Sequence, residues 1–184
     1  LIEHQGVLYI AMAGIHQLWS MGLTDGMIGP FAGTGGEAIT DGLLAKAELA
    51  QPCGITTDGV KLFFADSETS SVRSADLDPA GKVRTIVGLD LFVFGDKDGS
   101  DHHVRLQHPI GITHHDGVLY ITDTYNHKVK WVLPAMRSAF TVLGNGAAGH
   151  VDGAAEQAQF SEPSGISFAN GKMYIADTNN HAIR

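Results

Sequence analysis

Hydrophobic and polar residues alternate along this chain in short runs, the period-2 pattern that is typical of β-strands. In the middle of the chain, three such runs cover residues 111–113, 118–122 and 128–133, and a fourth lies near residues 139–143. The dipeptide Asp116-Gly117 separates the first two runs and tolerates the positive φ that a tight hairpin turn requires. The pattern therefore predicts four antiparallel strands joined by short turns.

The same pattern recurs in residues 51–73, 108–130 and 162–184. Each copy has a Pro-x-Gly-Ile start, an apolar run, an Asp and a closing apolar-basic pair. Two independent markers recur with the same spacing, 57 residues between the first and second copies and 54 between the second and third. They are the prolines Pro52, Pro109 and Pro163 and the aspartates Asp66, Asp123 and Asp177. A partial copy projects onto residues 7–12, with Met12 in place of the Asp. Repetition at such a period is typical of propellers, solenoids and arrays.

Four antiparallel strands per repeat are the make-up of a propeller blade. We therefore predict an all-β fold of about three and a half to four blades in one region, residues 1–184. Its units run approximately over residues 1–51, 52–108, 109–162 and, incompletely, 163–184. Long connections join the units, and an apolar residue in each is expected to fill the gap between neighbouring blades: Leu49, Leu106 and Phe160.

The segments YITDTYNHKVK (residues 120–130) and YIADTNNHAIR (residues 174–184) resemble the NHL repeat, with Asn126-His127 and Asn180-His181 in the signature positions. Further segments are similar to the NHL part of the family that joins a thioredoxin-like domain to an NHL propeller, the NHL-repeat-containing-protein-two type: residues 9–19, 50–55, 64–73, 91–99 and 106–113. The resemblance implies a six-bladed propeller preceded by a thioredoxin-like domain. This sequence shows no thioredoxin-like segment, and only three complete units and a partial fourth.

An open series of blades leaves sheet edges and apolar faces uncovered at both ends, which favours association with another chain. A symmetric pair of chains would cover both ends at once. We therefore expect a homodimer that closes the propeller ring.

Charge and composition limit the kinds of partner that the chain is expected to bind. The net charge is −8, and the 12 Lys and Arg residues are spread along the chain, whereas nucleic acid requires a clustered basic face. No apolar run approaches the roughly 20 residues that cross a bilayer, so no membrane contact is expected. Cys53 is the single cysteine, which excludes an internal disulfide and a thiolate zinc site. With no secretory signal visible at the start, a cytoplasmic location is expected.

The repeated turns contain Asp, Asn and His side chains, which are the first candidates for catalytic residues. Asp, Asn and His side chains also bond nearby backbone groups in tight turns, and in the second unit the set changes to Asp66, Thr69 and Ser70. A turn-stabilising role predicts such tolerance. We therefore interpret these residues as a structural turn motif and predict no catalytic residue among them: Asp66, Asp123, Asn126, His127, Asp177, Asn180 and His181.

The clustering of histidines along the chain suggests a metal site. Adjacent histidines on an extended segment point to opposite sides, however, and no spacing matches a tetrahedral ligand set. We predict no metal and no cofactor. The residues that differ between units are better candidates for contacts with a ligand or partner: Phe92, Phe94, His102, His103, His108, His114 and His115.

The sequence favours a non-enzymatic scaffold that binds a protein, a peptide or a small ligand through its inter-blade loops, because loops on a rigid scaffold commonly carry binding. No nucleophile elbow, metalloprotease helix motif or P-loop is present. The resemblance to NHL and related propellers leaves an alternative, a metal-assisted lyase or hydrolase with a cation at the propeller axis. A second alternative, RNA binding, is disfavoured by the charge.

Overall fold

A computed structural model describes all 184 residues and contains four antiparallel sheets, one for each repeat unit. The all-β prediction and the assignment of the sheets as propeller blades are confirmed. The first blade contains four strands in sequential order: β1 (Ile2–His4), β2 (Val7–Met12), β3 (Gln17–Gly22) and β4 (Ile28–Ala32).

The second and third blades have five strands each. The second contains β5 (Gly42–Leu43), β6 (Pro52–Thr57), β7 (Lys61–Asp66), β8 (Ser71–Asp76) and β9 (Lys82–Val87). The third contains β10 (Gly99–Ser100), β11 (Pro109–His115), β12 (Val118–Asp123), β13 (Lys128–Leu133) and β14 (Ser138–Leu143). The two-residue strands β5 and β10 were not predicted. Each comes from the preceding connection and pairs with the fourth main strand of its blade.

The fourth blade contains three strands, β15 (Pro163–Ala169), β16 (Lys172–Asp177) and β17 (Ala182–Ile183). Single 3-10 turns lie between the strands and in the connections: Ala13–Ile15, Leu44–Lys46, Asp101–His103, Thr124–Asn126, Pro134–Met136 and Thr178–Asn180. No helix is therefore long or apolar enough to cross a membrane.

Three buried apolar clusters join neighbouring blades. Leu49 belongs to the cluster between the first two blades, Leu106 to that between the second and third, and Phe160 to that between the third and fourth. The first strands β6, β11 and β15 also lie side by side. No buried apolar cluster joins the fourth blade to the first, so the four blades form a series with an uncovered face at each end.

Candidate functional site

The repeated Asp lies at the centre of an ionic network in the second, third and fourth blades. In the second blade, Asp66 is wholly buried and its Oδ2 lies 2.8 Å from Nη1 of Arg73. Nη2 of Arg73 lies 3.0 Å from Oδ1 of Asp41, and the same carboxylate accepts bonds from the backbone N–H and the hydroxyl of Thr85. Oδ1 of Asp66 accepts the Ala50 N–H. The network thus ties the outer connection to three strands of the blade.

The third blade repeats the network with a lysine. Nζ of Lys130 lies 2.7 Å from Asp96, 2.9 Å from Asp98 and 3.5 Å from Asp123. Burial raises the pKa of Asp123 to about 6, although Lys130 and Asn126 partly offset it. Burial also acts to lower the pKa of Lys130, but the three carboxylates raise it above its ordinary value. Lys130 therefore stays charged at neutral pH.

In the fourth blade Arg184 connects Asp177 to Asp152 in the same way. The first blade has Met12 and Trp19 at the positions of the Asp and the basic residue. Both ionic partners are thus replaced together by apolar residues. The wholly buried carboxylates have no exposed face toward a substrate, since Asp66, Asp123 and Asp177 are each 0% exposed.

The Asn residues of the turn motif bond the same carboxylates. Nδ2 of Asn126 donates to Oδ2 of Asp123 at 2.8 Å and to the Gly95 carbonyl at 2.6 Å. Nδ2 of Asn180 donates to Asp177 and to the Gly149 carbonyl. Each Asn therefore holds the connection that enters its blade.

The histidines of the turn motif link neighbouring blades. Nδ1 of His127 accepts the backbone N–H of Glu162 at 3.1 Å. His16, which holds the equivalent position in the first blade, accepts the backbone N–H of Gln51 through Nδ1 at 3.2 Å. His127 has a φ of 54°, in the left-handed region where His is tolerated at the end of a 3-10 turn. The side chain of His181, in the fourth blade, makes no such bond within the chain.

The side chains of His108, His114 and His115 do not meet at a common site. His108 lies 3.4 Å from Glu68, while the rings of His114 and His115 stack on Phe63 and Phe168 respectively. His108 precedes β11, whereas His114 and His115 are its last two residues. No group of three or more His, Cys, Asp or Glu side chains is arranged to hold a metal ion.

The rings of His102 and His103 are in contact, with centroids 4.1 Å apart. The expectation that adjacent histidines point to opposite sides is wrong for this pair. The segment is a 3-10 turn, Asp101–His103, and not extended, so successive side chains are not separated by the two-fold alternation of a strand.

The connection from Gly88 to Asp98 differs from its counterparts. It is two residues longer than the connections from Gly33 to Asp41 and from Gly144 to Asp152. It also carries two exposed phenylalanines: Phe92, which is 86% exposed, and Phe94, which is 54% exposed.

A cleft of about 430 Å³ lies between the second and third blades. Its floor includes Phe63, Ser74 and Arg84, which are cross-strand neighbours on β7, β8 and β9. Pro134 and Arg137 from the turn between β13 and β14 form the opposite wall. The cleft was not predicted, because its residues come from two units and share no motif.

Two known proteins are similar in sequence to nearly the whole chain. No protein-family model matches the chain. The chain is 41% identical over 208 residues to NHL repeat-containing protein 2 of Gallus gallus, a similarity that covers 99% of the chain and 28% of that protein. It is 43% identical over 188 residues to the chloroplastic protein SUPPRESSOR OF QUENCHING 1 of Arabidopsis thaliana, covering 96% of the chain and 18% of that protein. The chain therefore spans less than a third of the length of these relatives.

A solved structure also resembles the chain. It is described as an auxiliary nutrient binding protein from Bacteroides thetaiotaomicron, and it aligns with a TM-score of 0.75 and 18% identity over 96% of this chain and 44% of its own. At that identity the similarity concerns the fold alone.

Proposed function

We propose that this chain, a propeller region like that of NHL repeat-containing protein 2, is a non-enzymatic scaffold that binds a protein or peptide through one inter-blade connection. The predicted resemblance is confirmed, since the similarity covers nearly the whole chain at about 40% identity. Propeller folds host many functions, so the proposal must rest on a site. The observation that carries it is the pair of exposed phenylalanines on the connection between the second and third blades.

The connection that carries Phe92 and Phe94 is firmly held. The N–H of Gly95 donates to the Leu106 carbonyl, and the Gly95 carbonyl accepts from Asn126. Asp96, next in the chain, pairs with two lysines of β13. A rigid loop loses little conformational entropy on binding, and aromatic side chains, Phe among them, are enriched in protein interfaces. These features support a contact with an apolar pocket of a protein partner.

Replacing both phenylalanines by serine is expected to weaken capture of that partner at least about tenfold, because two aromatic anchors would be lost. Quantitative pull-down from an extract of the source cells, with the wild-type chain and the Phe92→Ser/Phe94→Ser variant side by side, measures the loss. Val60→Ser is the matched control, since Val60 is 69% exposed on another turn. If the double variant retains every partner of the wild type, the connection is not the binding surface.

We also propose that a second copy of the chain covers the two uncovered end faces. Ile183 in the fourth blade is 73% exposed, whereas Val72 and Val129 at the same position of complete blades are wholly buried. Sedimentation equilibrium at micromolar concentration is expected to give twice the 19.5 kDa mass of one chain. A mass of one chain under these conditions would rule the homodimer out.

A further inference from the structure

We propose that the cleft between the second and third blades binds a small molecule carrying a carboxylate or phosphate group, held between Arg84 and Arg137. This site is distinct from the Phe92 and Phe94 connection and goes beyond the binding of a protein partner. The cleft volume of about 430 Å³ lies within the range of roughly 300–1,000 Å³ that is usual for small-molecule sites.

The cleft exists because of a small residue in the middle of a cross-strand row. In the third blade the equivalent row is Tyr120, Trp131 and Phe140, three aromatic residues on adjacent strands. In the second blade Ser74 takes the place of Trp131. Space that an indole would fill is therefore open above Ser74, beside Arg84 on the next strand.

Arg84 is held from one side by a carboxylate. Its Nη1 lies 3.0 and 2.9 Å from the two oxygens of Asp76. Burial acts to raise the pKa of Asp76, but Arg84, the Lys82 N–H and Lys61 lower it below its ordinary value, so the carboxylate stays ionised. Nε and Nη2 of Arg84 make no hydrogen bond within the chain. The guanidinium therefore keeps free donors in a fixed orientation, as recognition of an anionic oxygen group requires.

Arg137 is fixed on the opposite wall. Its Nε lies 2.9 Å from Oδ1 of Asp101 and 3.3 Å from the Ile86 carbonyl, and its own carbonyl accepts the Asp101 N–H. Its φ is 48°, a left-handed conformation that non-glycine residues rarely adopt. Neither terminal nitrogen of Arg137 makes a hydrogen bond within the chain. The wall thus presents a second guanidinium to the cleft.

The acidic residues of the lining already have partners. Asp41 accepts bonds from Arg73 and Thr85, and Oδ1 of Asp58 accepts the N–H groups of Val60 and Lys61. The groups left without a hydrogen bond are the remaining donors of the two arginines, the ammonium of Lys61 and Oδ2 of Asp58, and the largely buried Phe63 and Ile86 contribute apolar atoms to the lining. An anionic group with an apolar body complements this arrangement.

The site can be tested with simple anions on the full chain. Inorganic phosphate and succinate are titrated separately while backbone amide shifts are recorded by NMR. We expect shifts concentrated at Thr85, Ile86, Ala135 and Arg137, and at least about tenfold weaker binding of the preferred anion in Arg84→Gln/Arg137→Gln. Lys46→Gln, which removes an exposed lysine elsewhere, should leave the affinity unchanged. The better ligand of the two distinguishes a phosphate from a carboxylate source.

A second variant keeps the test decisive if loss of Arg137 unfolds the chain. Ser74→Trp places in the second blade the residue that the third blade has at the same position, and it should fill the cleft while both arginines remain. Loss of binding in this variant supports the site. Binding that survives Ser74→Trp, shifts scattered over other basic residues, or no shifts with either anion would each overturn the proposal.

Discussion

Replacing Lys130 by methionine is expected to lower the free energy of unfolding by about 3–5 kcal/mol at pH 7, the usual loss when a buried charge is deprived of its partner. Lys130 is wholly buried, and its ammonium is the cation that faces Asp96, Asp98 and Asp123 together. Methionine has a similar length but no charge. Urea denaturation followed by circular dichroism measures the change.

The size of this loss should depend on pH. The folded pKa of Asp123, about 6, lies above the ordinary value of about 3.9, so this carboxyl favours the folded state most below pH 4 and loses that contribution as pH rises through 6. Without Lys130 its pKa rises further. For Asp96, burial acts to raise the pKa, but Lys128 and Lys130 lower it, so its contribution is present at neutral pH and lost in acid. Both effects make the difference between wild type and variant larger at pH 8 than at pH 5.

Two controls separate the buried network from general effects of charge. Lys46→Met removes an exposed lysine and should change stability by less than about 0.5 kcal/mol. Asp123→Asn/Lys130→Met removes both charges and should recover part of the loss, as Met12 and Trp19 of the first blade indicate that a blade can be built without the ionic pair. Equal stability of Lys130→Met and wild type at every pH would contradict the network.

The strands could be predicted because their signal is local. Side-chain alternation and the hairpin dipeptides depend only on residues within one blade, and the spacing of the prolines fixed the register of the units. The interfacial role of Leu49, Leu106 and Phe160 followed from their recurrence in each connection. The strands β5 and β10 could not be predicted, because two residues are too few to show a period. Their pairing also depends on β9 and β14, which are distant in the sequence.

The ionic partner of the repeated Asp was present in the sequence but its role was not deduced. Asp66 lies opposite Ser71 in the β7–β8 hairpin, so Arg73 is its diagonal neighbour on the same face. A basic residue seven positions after the Asp in three units, and the joint loss of both at Met12 and Trp19, is a signal that could have identified the pair. The cleft had no such signal, because it depends on the difference in volume between Ser74 and Trp131 and on a turn of the next blade.

Replacing Gly111 by alanine is expected to lower the free energy of unfolding by about 3 kcal/mol, at the upper end of the cost of overpacking. A Cβ at Gly111 would lie 2.0 Å from the carbonyl oxygen of Ser164 and 2.9 Å from the Thr122 hydroxyl. Ser164 belongs to β15, so the clash is with the backbone of the next blade and can be relieved only by moving that blade. Gly54 has the same relation to Ile110 of β11, at 2.4 Å.

Gly165→Ala is the matched control, because Gly165 holds the same Pro-x-Gly position in the fourth blade and its added Cβ would meet only the Ala176 Cβ, at 3.6 Å. The loss of backbone freedom in the unfolded chain is common to both substitutions, so the difference between them isolates the contact with the next blade. Urea denaturation should place Gly165→Ala within about 0.5 kcal/mol of wild type if its face is open. A cost for Gly165→Ala equal to that for Gly111→Ala would instead mean that another strand covers the fourth blade, and the concentration dependence of that cost would identify a second copy of the chain as its source.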